Sequence, residues 1–217
     1  GFVKSYGRWY YLEENGKKAK GFKEIDGKLY YFSNNPMNKY ETNEQVRGQL
    51  ARPKFYISFP NRAEDNPTYY FDAETGAAVT NQFVYADGHW YYFGNDGKAL
   101  IFDQVINGQH LYFDANGRQV KGGFVTNTDG SRSFYHWNTG DKLVSTFFTT
   151  GHDRWYYADD RGNVVTGAQV INGQKLFFDT DGKQVKGAFA TNANGSRSYY
   201  HWNTGNKLVS TFFTSGD

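Results

Sequence analysis

The chain of 217 residues carries 19 Phe, 18 Tyr and 5 Trp against eight Leu, five Ile and one Met, so any core it builds is made mainly of flat rings. Its net charge is +2 with acids and bases interspersed, which leaves no basic stripe for phosphates and argues against nucleic acid as a partner. Without cysteine there are no disulfides or thiolate metal sites, and no run of 18 apolar residues offers a membrane-inserted span.

In chain order, the first elements are "GRWYYLEENGKKAKGF", residues 7–22, and "IDGKLYYF", residues 25–32. Residues 33–67 then interrupt the pattern with a proline-containing stretch, read as a surface insertion or as a junction presenting Phe55, Tyr56 and Phe59 to a neighbour. The pattern resumes at "TYYFDAETG" and continues through "GHWYYFGNDG", residues 88–97, "HLYFDANGRQVKG", residues 110–122, and "SFYHWNTGDKLVSTF", residues 133–147. Each element is a run of aromatics, a polar turn ending in Gly, and a weaker apolar run. Alternation on either side of Asn-Gly, Asp-Gly or Thr-Gly predicts β-hairpins, and rings and β-branched residues suit the pleated strand. No window sustains the spacing of an amphipathic helix.

Residues 105–152 laid over 170–217 agree at 35 of 48 positions, which is an internal duplication at an offset of 65. Turn glycines at 97, 117, 140, 162, 182 and 205 divide each long unit into three short ones. A lone hairpin of this size is not stable in water, so neighbours must pool their aromatic faces. The expected fold is therefore all-β, a β-solenoid of stacked β-hairpins with about three hairpins per 65-residue turn. It spans residues 1–217 apart from the irregular segment 33–67. The closing "FFTSGD" matches "FFTTGH", residues 147–152, which runs directly into another aromatic element, so the chain is expected to be part of something longer.

No catalytic constellation emerges. Asp72, Asp114, Asp159 and Asp179 stand just before turn glycines, where Asp stabilises the turn through its own backbone, and only a contrived pairing makes them glycosidase carboxylates. "DTDG", residues 179–182, lacks the later ligands of a calcium loop. His136 and His201 recur at the period, which marks a structural place in the hairpin. The reading calls for no cofactor and no metal.

The stronger signal is a repeated set of rings and polar partners. In "WYYF" alternate side chains face opposite ways, so Trp90 and Tyr92 share one face while Tyr91 and Phe93 share the other. One set fills the interior and the other is left near solvent, where exposed rings mark binding. From Tyr92 the chain runs 12 residues to Gln104 and 17 more to Lys121; from Tyr157, beside Trp155, the same steps reach Gln169 and Lys186. Gln82 lies 12 residues after Tyr70 and begins a further set in which Lys98 falls one position out of register. A flat ring offers its face to the C–H side of a pyranose while amide and ammonium groups satisfy hydroxyls. One such site holds at about millimolar strength, and several on one repetitive ligand gain ~10²-fold or more by avidity.

The segments "WYYFGNDGKAL", "INGQHLYFDANGRQVKG" and "INGQKLFFDTDGKQVKG" resemble the YG, or cell-wall-binding-type, repeats in the C-terminal glucan-binding domain of bacterial glucansucrases. The resemblance covers nearly all of the chain outside residues 33–67. It implies a secreted or cell-surface location, a β-solenoid that binds α-glucan or its oligosaccharides, and a covalently attached catalytic domain that polymerises glucose from sucrose. None of that domain's carboxylate segments stands here, so this piece is expected to be non-catalytic. It also implies pockets made of an aromatic, Gln and Lys, matching Tyr92, Gln104 and Lys121 and again Tyr157, Gln169 and Lys186. The first unit departs, with Lys23 where Gln is expected. Choline-binding modules and clostridial toxin repeats look similar, yet the Trp that follows Gly in choline cages is Phe124 or Ala168 here. Choline, another surface glycan and a purely structural spacer stay as alternatives.

Overall fold

The computed structural model describes residues 1–33, 44–45, 47, 49–51 and 67–209, and every regular element among them is a β-strand. The chain divides into two compact units, residues 1–120 and 121–217. In the first, antiparallel pairs form between β1 (Phe2–Ser5) and β2 (Arg8–Tyr11), and between β3 (Gly21–Ile25) and β4 (Lys28–Ser33), which is joined by β5 (Glu44–Gln45). Further pairs join β6 (Gln49–Ala51) to β7 (Tyr69–Phe71), β8 (Gln82–Ala86) to β9 (His89–Phe93), and β10 (Phe102–Ile106) to β11 (Gln109–Phe113). The second unit pairs β12 (Gly123–Thr126) with β13 (Arg132–Tyr135) and β14 (Thr146–Thr149) with β15 (Trp155–Ala158). It ends with β16 (Gly167–Ile171) on β17 (Gln174–Phe178) and β18 (Ala188–Thr191) on β19 (Arg197–Tyr200). Of the expected insertion, the described strands β5 and β6 pair with β4 and β7; Phe55, Tyr56 and Phe59 lie outside the described residues.

The turns that head the full ladders differ from the ones whose glycines set the sequence period. Asn107 and Gly108 adopt φ of 51° and 80°, and Asn172 and Gly173 adopt 50° and 77°. Two successive left-handed residues form the two-residue loop whose twist suits antiparallel strands, and Ile106 accordingly faces Gln109 across it. At Gly117, by contrast, the N–H donates to the Asp114 carbonyl at 2.9 Å, and the departing chain makes a single bridge from Phe113 to Gln119. The reason is that the departing residues are shared between hairpins. Val120 N–H donates to Tyr112 O in its own hairpin, while Gln119 N–H donates to Trp90 O in the preceding one, each at 2.8 Å. Val185 to Phe177 and Gln184 to Trp155 repeat this in the second unit. Within each unit, backbone bonding as well as apolar contact docks these hairpins on the ones before.

This docking depends on close approach at the turn. Gly182 sits at φ +78°, and a Cβ there would lie 2.5 Å from Val164 Cγ1 and 3.2 Å from the Val165 carbonyl. Gly182→Ala therefore combines left-handed strain with a clash, and we expect a loss of ~2–3 kcal/mol in urea unfolding. A loss under ~0.5 kcal/mol would show that the turn is not pinned.

Between the strands lie small aromatic clusters, one after another. Phe32, Phe71, Phe93, Phe113 and Phe178, each at the aromatic end of its second strand, are 0% exposed. The alternation expected in "WYYF" holds for three of the rings, with Tyr91 and Phe93 buried and Trp90 40% exposed, whereas Tyr92 is half-buried against the following hairpin. Rings carry this core because each hairpin contributes only a few inward positions, and a ring buries roughly 150–250 Å² per position.

Candidate functional site

A cleft of ≈ 680 Å³ opens in the second unit, lined by Trp155, Gln184, Lys186, Trp202 and Asn203 together with His152, Asp153, Asp179 and Lys183. Three local features assemble it. The bond from Gln184 N–H to Trp155 O, 2.7 Å, lays residues 184–186 across the start of β15, and Lys186 Nζ ends 5.3 Å from the Trp155 ring centroid. Gly187, at φ +63°, then lets the next turn approach, since a Cβ there would stand 3.3 Å from Trp202 Cβ. His152 and Asp153, both at positive φ, form the remaining wall. The buried Gln184 amide donates to Thr204 O at 3.3 Å and ties the Trp202 turn to that wall.

Of the residues expected from sequence, Trp155 and Lys186 meet in this cleft, and Tyr157 and Gln169 do not line it. Tyr157 is half-buried, edge-on to Phe147 at 4.8 Å, and packs against the Ile171, Leu176 and Phe178 cluster of the following hairpin. The Gln169 amide donates to Thr166 O at 2.8 Å. Tyr157 therefore does not stand outward as a free stacking face: in "WYY" the middle ring packs on Phe148 of its own hairpin and on Phe124 and Phe134 of the preceding one, the third packs on the next hairpin, and Trp155 is left at the rim.

The first unit repeats the pattern. Tyr92 lies edge-on to Phe83 at 4.8 Å and against Ile106, Leu111 and Phe113; Tyr70 packs on Val79, Tyr91 and Phe93. Gln82 is exposed at the head of β8, and Trp90 leans on Tyr85 with centroids 5.3 Å apart. Gln104 does enter a cleft, of ≈ 230 Å³, with Lys98, Asp96, Asn116 and Thr68, while its amide donates to Ile101 O at 2.7 Å. Burial pushes the Asp96 carboxyl up, but the Lys98 N–H and ammonium outweigh that and hold it below the usual range, consistent with their 3.0 Å ion pair. Lys121 belongs to the second unit, where its ammonium donates to Asn138 O at 2.9 Å. Lys23 is engaged by Glu13 at 2.7 Å, a bond that lowers the Glu13 pKa; both side chains remain more than a third accessible to water, so the pair adds little stability.

Sequence reasoning passed over Trp202, 71% exposed, and its periodic partner Trp137, 58% exposed. The available signal was "HWNTG" itself, written twice 65 residues apart with a Trp in a turn that has no room for it inside.

The choline-binding repeat model matches residues 104–147 and 165–212, and the cell wall binding repeat model matches 1–18, 20–35 and 81–99. Over 209 residues the chain is 37% identical to Glucosyltransferase-S of Streptococcus mutans serotype c, and over 202 residues 42% identical to Glucosyltransferase-I of Streptococcus downei. The chain belongs to the repeat regions of the glucosyltransferase family. These alignments take in 96% and 92% of the chain but span only 13% and 12% of those proteins. The chain also shares its fold with choline binding protein F of Streptococcus pneumoniae, crystallised with a peptidoglycan analogue. That match has a TM-score of 0.63 at 21% identity, over 93% of this chain and 62% of that one. The choline-binding domain of CbpL from the same organism gives 0.61 at 17% identity, covering 97% and 98%.

Proposed function

We propose that this repeat region is a non-catalytic binding segment of a secreted or cell-surface glucosyltransferase, holding α-glucan on a β-solenoid formed by residues 1–217 with an insertion at 33–67. The observation that carries the reading is the convergence of Trp155, Lys186 and the exposed Trp202 on one open cleft. An indole offers a pyranose its apolar face, and the Lys186 ammonium and the Asn203 amide offer donors to the hydroxyls that stacking brings down. Tyr157 and Gln169 shape the hairpins behind this surface; Tyr92, Gln104 and Lys121 and the Tyr70, Gln82 set are the corresponding positions of earlier repeats. The reacting groups of the enzyme belong to the large remainder of the relatives' length.

The match to choline-binding repeats favours a second reading, in which the ligand is a quaternary ammonium. Lys186 argues against it here: the chain's own cation already lies near the Trp155 ring, so a second cation meets like-charge repulsion at the place where it needs a π face. Affinity electrophoresis in gels with and without dextran tests the proposal. We expect retardation in dextran that choline does not relieve; unchanged mobility would remove glucan binding, and release by choline would favour the alternative.

A further inference from the structure

Three turns share one plan across the described residues: Asp72–Gly76, His136–Gly140 and His201–Gly205. In each, the glycine N–H donates to the carbonyl of the first residue at 2.8 Å. In each, a threonine hydroxyl accepts the N–H of the residue after the glycine at 3.2 Å, from Ala77, Asp141 and Asn206. The first side chain closes the turn by accepting two backbone N–H groups. Asp72 Oδ1 takes Glu74 at 3.1 Å and Thr75 at 2.7 Å. His136 Nδ1 takes Asn138 and Thr139, both at 3.3 Å, and His201 Nδ1 takes Asn203 at 3.2 Å and Thr204 at 3.3 Å. An imidazole therefore stands where the first turn has a carboxylate.

The exchange alters how the turn responds to acid. Backbone donors give Nδ1 an acceptor's role, which a ring carrying its proton on Nε2 can fill. A protonated imidazole has no acceptor left. The Asp72 carboxyl is held below its usual range, first by the Thr75 N–H, so that turn keeps its acceptor through mild acid and loses it only as pH falls below the carboxylate range. Among side chains, imidazole is the acceptor whose charge changes across mild acid. What rides on the histidine turns is the exposed indole that follows: His136 and Trp137 stack with centroids 4.3 Å apart, and His201 and Trp202 lie 5.7 Å apart.

We propose that the two "HWNTG" turns are proton-sensitive catches: protonation at Nδ1 of His201 and His136 releases the turns that present Trp202 and Trp137, and weakens carbohydrate retention in mild acid. The charged groups around the first turn are Asp141 and Lys142 at its exit and Lys121, whose ammonium bonds Asn138 O. Around the second, Asn206 replaces Asp141, Lys207 and Lys175 meet at the turn's exit, and Lys186, Lys183, His152, Asp153 and Asp179 line the cleft with Trp202. Backbone donors already hold the Nδ1 lone pair in both turns, so none of these groups can restore the lost acceptor.

The retention arm rests on the glucan reading, so a second readout is taken without ligand. Dextran retardation of the chain and of the His136→Asp/His201→Asp variant is measured from pH 7.5 to 5.0, with the backbone amide NMR shifts of Thr139 and Thr204. Asp72 shows that this turn accepts a carboxylate, so the variant keeps its fold. We expect retention of the natural chain to weaken about fivefold on acidification, with both amides moving, and the variant to hold within twofold with amides unmoved. Equal pH dependence of natural chain and variant in the amide shifts overturns the catch, whether or not dextran binds. Moving amides without any dextran retention at pH 7.5 uphold the catch and discard only the glucan reading.

Discussion

Replacing Phe178 with Ala is expected to destabilise the second unit by ~3–5 kcal/mol in urea unfolding followed by tryptophan fluorescence. The ring is 0% exposed and lies in a cluster with Ile171 and Leu176, onto which Phe147, Tyr157 and Val165 pack from the preceding hairpin. Removing it leaves a cavity among these rings, and the backbone bridge from Phe178 to Gln184 holds the main chain in place around it. The same substitution at Val170, 71% exposed on the adjacent strand, is expected to change stability by less than ~0.5 kcal/mol. Equal effects at the two positions would mean that the hairpins are not held by these serial ring clusters.

Trp155→Ala is expected to weaken dextran retention about tenfold while leaving the unfolding midpoint nearly unchanged, because its ring is at the cleft rim and not in a buried cluster. Tyr157→Ala should behave in the opposite way, costing ~2 kcal/mol of stability through the lost contacts with the next hairpin. Measuring both midpoint and retention for the two variants separates a contact residue from a packing residue. If Tyr157→Ala alone lost retention at full stability, the cleft at Trp155 would be the wrong site.

Much of this was legible in the chain because the periodicities involved are local. Alternation in "WYYF" tells which rings turn inward, since neighbouring strand residues point to opposite faces whatever surrounds them, and Tyr91 and Phe93 are buried accordingly. The duplication at 65 residues likewise yields three hairpins per long unit from the spacing of glycines alone. Asn-Gly signalled a turn less uniformly: Asn107–Gly108 and Asn172–Gly173 take left-handed φ at both residues and head full ladders, whereas at Asn116–Gly117 only the glycine does, and a different turn follows.

What the chain could not reveal is which neighbour each half-exposed group meets. Tyr157 and Trp155 share a strand face, yet one is covered by the hairpin that follows and the other is left at a rim, a difference made by residues more than ten positions away. The pairing of Lys186 with Trp155 arises from a backbone bond between Gln184 and Trp155 that joins successive hairpins. Residue type and spacing are written along one dimension and suffice for strands, turns and the inward face; a binding surface is assembled across hairpins, where only packing decides which rings remain uncovered.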